Sequence, residues 1–403
     1  MASSSAAPDT CLRRPRVGRS FAMLLLSCLL LVGVYRSGAL SELPINDFLE
    51  YWAAARLALA NENPYSETAM YAEEQRLGLK SERPLMMWNP PWVVPFMAPF
   101  GMLHLRTARA LFFVLTFVVV FGCAEWLWRF YGGASNRHWV VWLLTCTFAP
   151  TIVSLTSGQV SPLVLVGVVA FLRFIHRRWY FAAGLGMLFI AFKPHLLYLL
   201  WMVVILWAAK SARRLQVLFA AVLTLTGATA VALVFNRAML REYLIAWKAE
   251  PMLVLYAPAM GGLLRSAFGW QRYWLQFVPA FAGIVWCLWW QWKQASNAFS
   301  WSRSLPPLLA VSVCTSPYGW LFDQVVLLPA LMERAAGLDR SGNKIAAIWI
   351  AVYFAANAGI AALLAFRYGM LSKAYAWTAP LWCLLYFATA GASQSASVVD
   401  SSK

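Results

Sequence analysis

The chain of 403 residues is 61% apolar and only 12% charged, with a mean hydropathy of +0.62, which excludes an ordinary water-soluble globular protein and indicates a polytopic, all-α membrane protein. Its formal net charge of +17 falls in short Lys/Arg clusters between apolar runs rather than in one stripe, so it reads as membrane topology and not as nucleic-acid binding. The seven cysteines (11, 28, 123, 146, 287, 314 and 383) form no CxxC or Cys/His pattern, so free thiols are expected, with neither a disulfide framework nor a metal site.

In chain order, a basic tail of residues 1–20 carrying Arg13, Arg14, Arg16 and Arg19 precedes the first apolar run. Ser37-Gly-Ala39 has the small-residue character of a signal-peptidase site, but an uncleaved first span, anchored inside, better suits the charge asymmetry of the later segments. Requiring about twenty apolar residues per span, and fewer where a span is buried, gives spans near 21–40, 107–128, 139–157, 160–175, 179–193, 194–209, 214–235, 273–292, 303–317, 320–334, 344–366 and 373–391. That is a bundle of about twelve helices over 21–391 with both termini cytoplasmic, and a polar, disordered tail at 392–403. The Pro-interrupted pair 303–334 is the least regular part.

The stretch from Trp88 to Leu105, WNPPWVVPFMAPFGMLHL, holds four prolines. Counting it as a span would turn Arg173, Arg177 and Arg178 outward. As a juxtamembrane or re-entrant helix on the outer face it leaves the basic clusters 129–137, 173–178, 210–214 and 334–344 all inside. Irregular backbone at membrane depth is tolerable only beside protein or a water-filled cavity, so this stretch points to a cavity. Two long outer loops result, 41–106 and 236–272, and functional residues are expected beneath them.

Asp47 ends the first span and opens a helix expected from Phe48 to Ala60. A carboxylate there is as good a helix N-cap as it is a general base. Asn46 could supply the cap by itself, and Asn63-Pro64-Tyr65 should end the helix. Gly158-Gln159 joins two spans on the same face, where a turn with a polar filler and a substrate contact are both open readings. Lys193 interrupts two apolar runs, where a charge at mid-membrane costs about 2.5–3.5 kcal/mol. It is either a snorkelling lysine or, with His195 beside it, a phosphate ligand. Arg265 in MGGLLRSAF is an interfacial anchor or a second phosphate ligand. Asp323 in SPYGWLFDQ, next to a proline break, could pair with a cation, bind sugar hydroxyls or carry protons. Glu125 is explained by i,i+4 pairing with Arg129.

Nucleotide and hydrolase motifs, including HExxH, GxSxG, GxGxxG, the Walker loop and an Asp-x-Asp pair, are absent. What is present, in order, is NDFLEYWAAARLALANENPYS, WNPPWVVPFMAPFGML, TSGQVSPLVLVGVVAFL, FKPHLLYLL and SPYGWLFDQVVLLPALM. This series resembles the polyprenyl-phosphate-sugar-dependent membrane glycosyltransferases of family 87, which include mannosyltransferases, over roughly residues 20–335. The resemblance implies a GT-C fold in the plasma membrane, with an active-site cavity on the extracytoplasmic face. It implies a lipid-linked sugar-phosphate donor, a lipid or glycan acceptor, and no nucleotide or other cofactor. It also implies an acidic base at Asp47, with donor phosphate at Lys193, His195 and Arg265 and inversion at the anomeric carbon. Motif position alone assigns Gln159, Asp323 and Tyr65 to sugar or acceptor contact. Two rivals stay open: a transporter or flippase of an envelope precursor, and a scaffold within an assembly complex.

Overall fold

The computed structural model describes residues 47–77, 83–249, 257–294, 299–338, 343–366 and 372–400, with positions 29, 32, 33 and 36 of the first apolar run. The basic tail 1–20, most of the 21–40 span, Asn46, Cys11 and Cys28 lie outside the described residues. Among those described, every regular element is helical. Cys123, Cys146, Cys287, Cys314 and Cys383 are free thiols.

The helices are α1 Phe48–Leu59, α2 Glu67–Gln75, α3 Val94–Gly101, α4 Leu105–Phe130, α5 His138–Thr147, α6 Ala149–Ser157, α7 Ser161–His176, α8 Tyr180–Ile190 and α9 Tyr198–Ala208. They continue with α10 Ala212–Phe235, α11 Met239–Ala249, α12 Met260–Phe268, α13 Val278–Lys293, α14 Trp301–Thr315, α15 Leu328–Gly337, α16 Asn343–Ala365 and α17 Thr378–Asp400. Among the described residues, four helices are long and apolar enough to cross a bilayer: α4, α10, α16 and a Tyr273–Lys293 unit formed by a 3-10 turn running into α13. On α10, Phe219, Val222, Leu223 and Val234 are exposed although apolar, which suits hydrocarbon and not water.

Among the described residues, several of the expected spans are shorter or bent. The expected span 139–157 is two helices, α5 and α6, bent by 64°. Pro150 lacks a donor and stands at the start of α6, and Phe148 is extended at φ −73°, ψ 101°. The freed Ala149 N–H donates to Asn357 Oδ1 of α16 at 2.7 Å, which meets the requirement that backbone polar groups in a membrane protein find internal partners. The expected spans 179–193 and 194–209 shorten to eleven residues each around a seven-residue turn, 191–197, that holds Lys193, Pro194 and His195. The pair 303–334 becomes α14, a 3-10 stretch Leu321–Leu327, and α15.

Three features position the functional end. First, α1 is buried on nearly every face, from Phe48 and Leu49 through Tyr51, Trp52 and Ala53–Ala55 to Leu57 and Ala58. It is not the interfacial helix that its place in the chain suggests: the proline-rich segment covers it, with Trp52 Nε1 donating to Leu103 O at 2.9 Å. The helix ends at Asn61, which is left-handed at φ 59°, before the Asn63-Pro64-Tyr65 break. Second, α3 has eight residues, too short to span, and buries Val94, Met97, Ala98 and Gly101. Third, α8 fits between α7 and α10 at small residues: a Cβ on Gly184 would lie 2.3 Å from Val217 O. Close backbone approach through small side chains is how membrane helices gain contact without a hydrophobic drive.

Outside this end, Glu125 pairs with Arg129 at 2.8 Å, as the i,i+4 spacing predicts, and also approaches His138 Nδ1 at 3.2 Å. In the first long loop Glu73 ties α2 to α1 through Arg56 at 2.8 Å and takes Arg76 at 3.0 Å.

Candidate active site: four chain breaks converge on a buried lysine

Four interruptions of the helical chain meet at one end of the bundle. Asp47 starts α1, Gln159 lies between α6 and α7, Lys193 lies in the turn between α8 and α9, and Asp323 lies in the 3-10 stretch after α14. Gln159 Nε2 donates to Asp47 Oδ2 at 2.6 Å. Gln159 Oε1 accepts from Tyr51 OH and from Lys193 Nζ, both at 2.9 Å. Lys193 Nζ also donates to Asp323 Oδ1 at 2.7 Å. Asp323 Oδ1 takes Ser161 Oγ at 2.6 Å, and Oδ2 takes the Trp320 backbone N–H at 3.0 Å.

Donor and acceptor chemistry fixes this order. The Gln159 oxygen faces two donors and its amide nitrogen faces a carboxylate; flipping the amide would set N–H groups against a hydroxyl and an ammonium and leave Asp47 against an oxygen. Gln159 therefore couples Asp47 to Lys193. Asp323, which is completely buried, has three bonds on two oxygens, so its role here is counter-ion to Lys193. The ammonium uses two of its three donors in these bonds and lies 4.8 Å from the Phe322 ring centroid. Lys193 is 7% exposed, so it is no snorkelling lysine.

Asp47 differs from its partners in being only half-buried. It occupies the N-cap position of α1 but makes no side-chain cap bond, so the cap reading of this carboxylate falls. Burial is the largest influence on Asp47 and raises it above the usual carboxylate range, while the Gln159 bond and the Lys193 charge pull it back. Arg109 of α4, held by Thr156 O at 3.3 Å, adds a second favourable charge.

Sequence reasoning gives Glu50 no role, yet it stands one turn after Asp47 and is likewise half-buried. Burial first, and then the Asp47 charge, push it well above the carboxylate range. Two carboxylates at i and i+3 share a helix face, and an environment that holds one neutral while its neighbour ionises separates acid from base. The Asp-x-x-Glu spacing was the available signal.

Gly158 makes the junction possible. It ends α6 at φ 74°, and a Cβ there would lie 2.5 Å from the Phe48 Cβ, the residue after Asp47. Glycine is thus required twice, for the left-handed backbone and for the close approach of α1.

The other expected site residues fall into two groups. Tyr65 OH donates to Asn89 O at 2.9 Å, and Asn89 Nδ2 donates to Phe192 O at 3.0 Å. With Trp92 Nε1 on Ala191 O at 2.9 Å, these bonds hold the proline-rich segment against the turn that presents Lys193. Tyr65 is thereby a support for that turn. His195, in the same turn, packs edge-on to Tyr318 at 5.8 Å, and its buried Nε2 has no hydrogen-bond partner among the described residues. Burial pushes its pKa down to about 4, so it can offer an N–H but not a charge.

Arg265 is not part of the network. Fully buried, it donates from Nε and Nη2 to Trp270 O at 3.1 and 2.8 Å and from Nη1 to Gln276 Oε1 at 3.2 Å. Its guanidinium lies 3.9 Å from the Trp270 ring centroid and 4.8 Å from that of Tyr273. Gln276 in turn donates to Pro317 O, so the cage anchors the 257–277 loop to the end of α14. Arg265→Lys keeps the charge but loses the planar stack and the two-point donation, and is expected to lower unfolding stability by roughly 2–4 kcal/mol. A thermal-unfolding series on the purified protein reads this directly; an unshifted midpoint would mean the cage is not structural.

Among the described residues, no group of three or more His, Cys, Asp or Glu side chains is placed to hold a metal ion. No curated protein and no solved structure matches the chain. The family model for glycosyltransferase family 87 matches residues 88–317, which include Gln159, Lys193, His195 and Arg265 and leave Asp47 and Asp323 outside. With more than half of its length matched, this all-helical, membrane-type chain belongs to glycosyltransferase family 87.

Proposed function

We infer that the protein transfers a hexose, mannose first among the candidates, from a polyprenyl-phosphate sugar to a lipid or glycan acceptor. The reaction takes place at the extracytoplasmic face of the plasma membrane, in a GT-C bundle that reaches about twelve passes when its short and broken helices are counted with the long ones. The observation that carries this reading is the Asp47–Gln159–Lys193 chain, which sets a half-exposed carboxylate and a buried cation on either side of one fixed amide.

The two ends of that chain supply the chemistry. Asp47 takes the proton from an acceptor hydroxyl, whose oxygen then bonds to the anomeric carbon. The bond from that carbon to the phosphate oxygen breaks on the opposite side, and the electron pair leaves on polyprenyl phosphate, so the anomeric configuration inverts. Lys193, with one donor beyond its two hydrogen bonds, supports the charge growing on the leaving phosphate. Fixed cations are most effective in such a low-dielectric, preorganised setting. Asp323, itself held by Ser161, fixes the ammonium in place, and Glu50, whose carboxyl burial and the Asp47 charge push well above the carboxylate range, stands one turn from the base.

Comparing glycolipids and glycans by mass spectrometry in cells with and without the gene tests the function. One species should lose a single hexose in the deletion and regain it on complementation; identical profiles would overturn the reading. Gly158→Ala gives a geometric test. The left-handed backbone costs an alanine about 1–2 kcal/mol, and the added methyl displaces Phe48 and with it Asp47. Transfer is expected to fall at least tenfold, as small misplacements of reacting groups do, while the protein still elutes as a folded species.

A further inference from the structure

The helices that present the network carry a second feature at their far ends. α7 begins next to Gln159 and ends at His176, about 24 Å away at the usual rise per residue. There α8 begins, α9 ends, and α10 and α14 begin. Between these ends lies a cavity of about 220 Å³ lined by Arg178, Arg214, His176, Ser300, Trp301 and Ser302 together with aromatic rings. That is far more than the roughly 10–15 Å³ one water needs.

The polar lining consists largely of donors. Arg214 lies over the Trp207 ring at 4.8 Å, and its one hydrogen bond shown, from Nη1 to Trp207 O, is long at 3.5 Å. Arg178 is held in the left-handed region at φ 59°, a conformation that a non-glycine residue adopts at a cost and that concentrates at functional positions. Trp301 is only 5% exposed, and its buried indole N–H has no acceptor among the described residues. A buried donor left without a partner is uncommon in folded proteins and signals an absent acceptor. Among the described residues no carboxylate lines the cavity, so nothing in the described lining neutralises the two guanidinium groups. The N-terminal ends of α8, α10 and α14 meet the C-terminal ends of α7 and α9 there, so the helix dipoles largely offset and the positive charge of the cavity rests on the two arginines.

Two guanidinium groups, an orphaned indole N–H and the hydroxyl proton left over by the Ser300–Ser302 pair, whose oxygens lie 2.8 Å apart, call for one compact acceptor with several oxygens. Phosphate meets that need, because guanidinium binds it in a bidentate manner. Phe130 and Phe299 in the wall supply apolar surface for the organic part of an ester. We propose that this cavity is a second, non-catalytic binding site for a phosphate group, carried by a phospholipid headgroup or free in solution, at the bundle end remote from Asp47. Such a site tethers that end of the bundle to an anionic ligand independently of sugar transfer.

Native mass spectrometry of the purified full chain tests the proposal, with three probes: phosphatidic acid, phosphatidylcholine of the same acyl chains, and inorganic phosphate. The wild type is expected to hold phosphatidic acid at least tenfold more tightly than phosphatidylcholine, with that preference lost in Arg178→Gln/Arg214→Gln and weakened about tenfold in Trp301→Phe. Inorganic phosphate that binds alone, or displaces the lipid, identifies free phosphate as sufficient; a lipid that phosphate does not displace identifies the headgroup. Equal wild-type affinity for the two lipids together with no phosphate binding overturns the site, as does a preference that survives the double substitution. Should the double variant fail to fold, the wild-type preference and the Trp301→Phe loss decide the matter, since neither depends on removing an arginine. A positive result leaves the hexose-transfer reading untouched, and a negative one does not weaken it.

Discussion

Asp47→Asn is expected to reduce hexose transfer by about 10²–10⁴-fold, the range a positioned general base contributes, with donor affinity changed little. The asparagine oxygen can still accept from Gln159 Nε2, so the Gln159–Lys193–Asp323 arrangement persists and only proton acceptance is lost. Product formation in proteoliposomes measures the first effect, and native mass spectrometry of the bound donor measures the second. A pH profile adds a signature that a packing role would not produce. The base must be ionised, and burial raises Asp47 above its ordinary value. Wild-type turnover therefore falls as pH drops through that raised value, and the residual rate of Asp47→Asn lacks this acidic limb. Transfer that continues unchanged in the variant would remove Asp47 from the mechanism.

The parts of this molecule that depend on a long apolar window were legible in the sequence, and the parts that depend on convergence were not. The long helices α4, α10 and Tyr273–Lys293 fall where uninterrupted apolar runs placed spans, because twenty apolar residues leave a chain few alternatives. The run 139–157 is equally continuous in sequence, but Pro150 and a tertiary partner for the freed Ala149 N–H split it. Asp47, Gln159, Lys193 and Asp323 each stand out as a polar residue at the end of an apolar run. Periodicity cannot say which ends of which helices meet, so the hydrogen bonds that join the four were invisible. Asp323 shows that limit: its position left a cation partner, sugar hydroxyls and proton carriage all open, and only the fold, with three bonds and complete burial, pairs it with Lys193. Arg265 shows the same in reverse. Its cage is local in sequence, Trp270, Tyr273 and Gln276, but only the turn after α12 reveals that these side chains fold back over the guanidinium.

Lys193→Met and Asp323→Leu are each expected to destabilise the protein by about 3–5 kcal/mol, because removing one member of a buried pair strands the other charge. Lys193→Met leaves the Asp323 carboxylate with only Ser161 and the Trp320 N–H; Asp323→Leu leaves the ammonium on Gln159 and the face of Phe322. The double variant removes both charges and fills similar volume with apolar atoms, a replacement that is often neutral or stabilising. Thermal unfolding should therefore show most of the lost stability restored, with a strong coupling between the two positions. Transfer should not return with it. A fixed donor at a developing oxyanion contributes about 10²–10³ in kcat, and methionine offers none to the leaving phosphate, so the refolded double variant stays slow by at least that factor. If instead the double variant regains transfer along with stability, Lys193 serves only to complete the fold and the phosphate must be met by other groups. If Lys193→Met alone unfolds no more easily than the wild type, the energetic coupling of the pair, on which its counter-ion role rests, is absent.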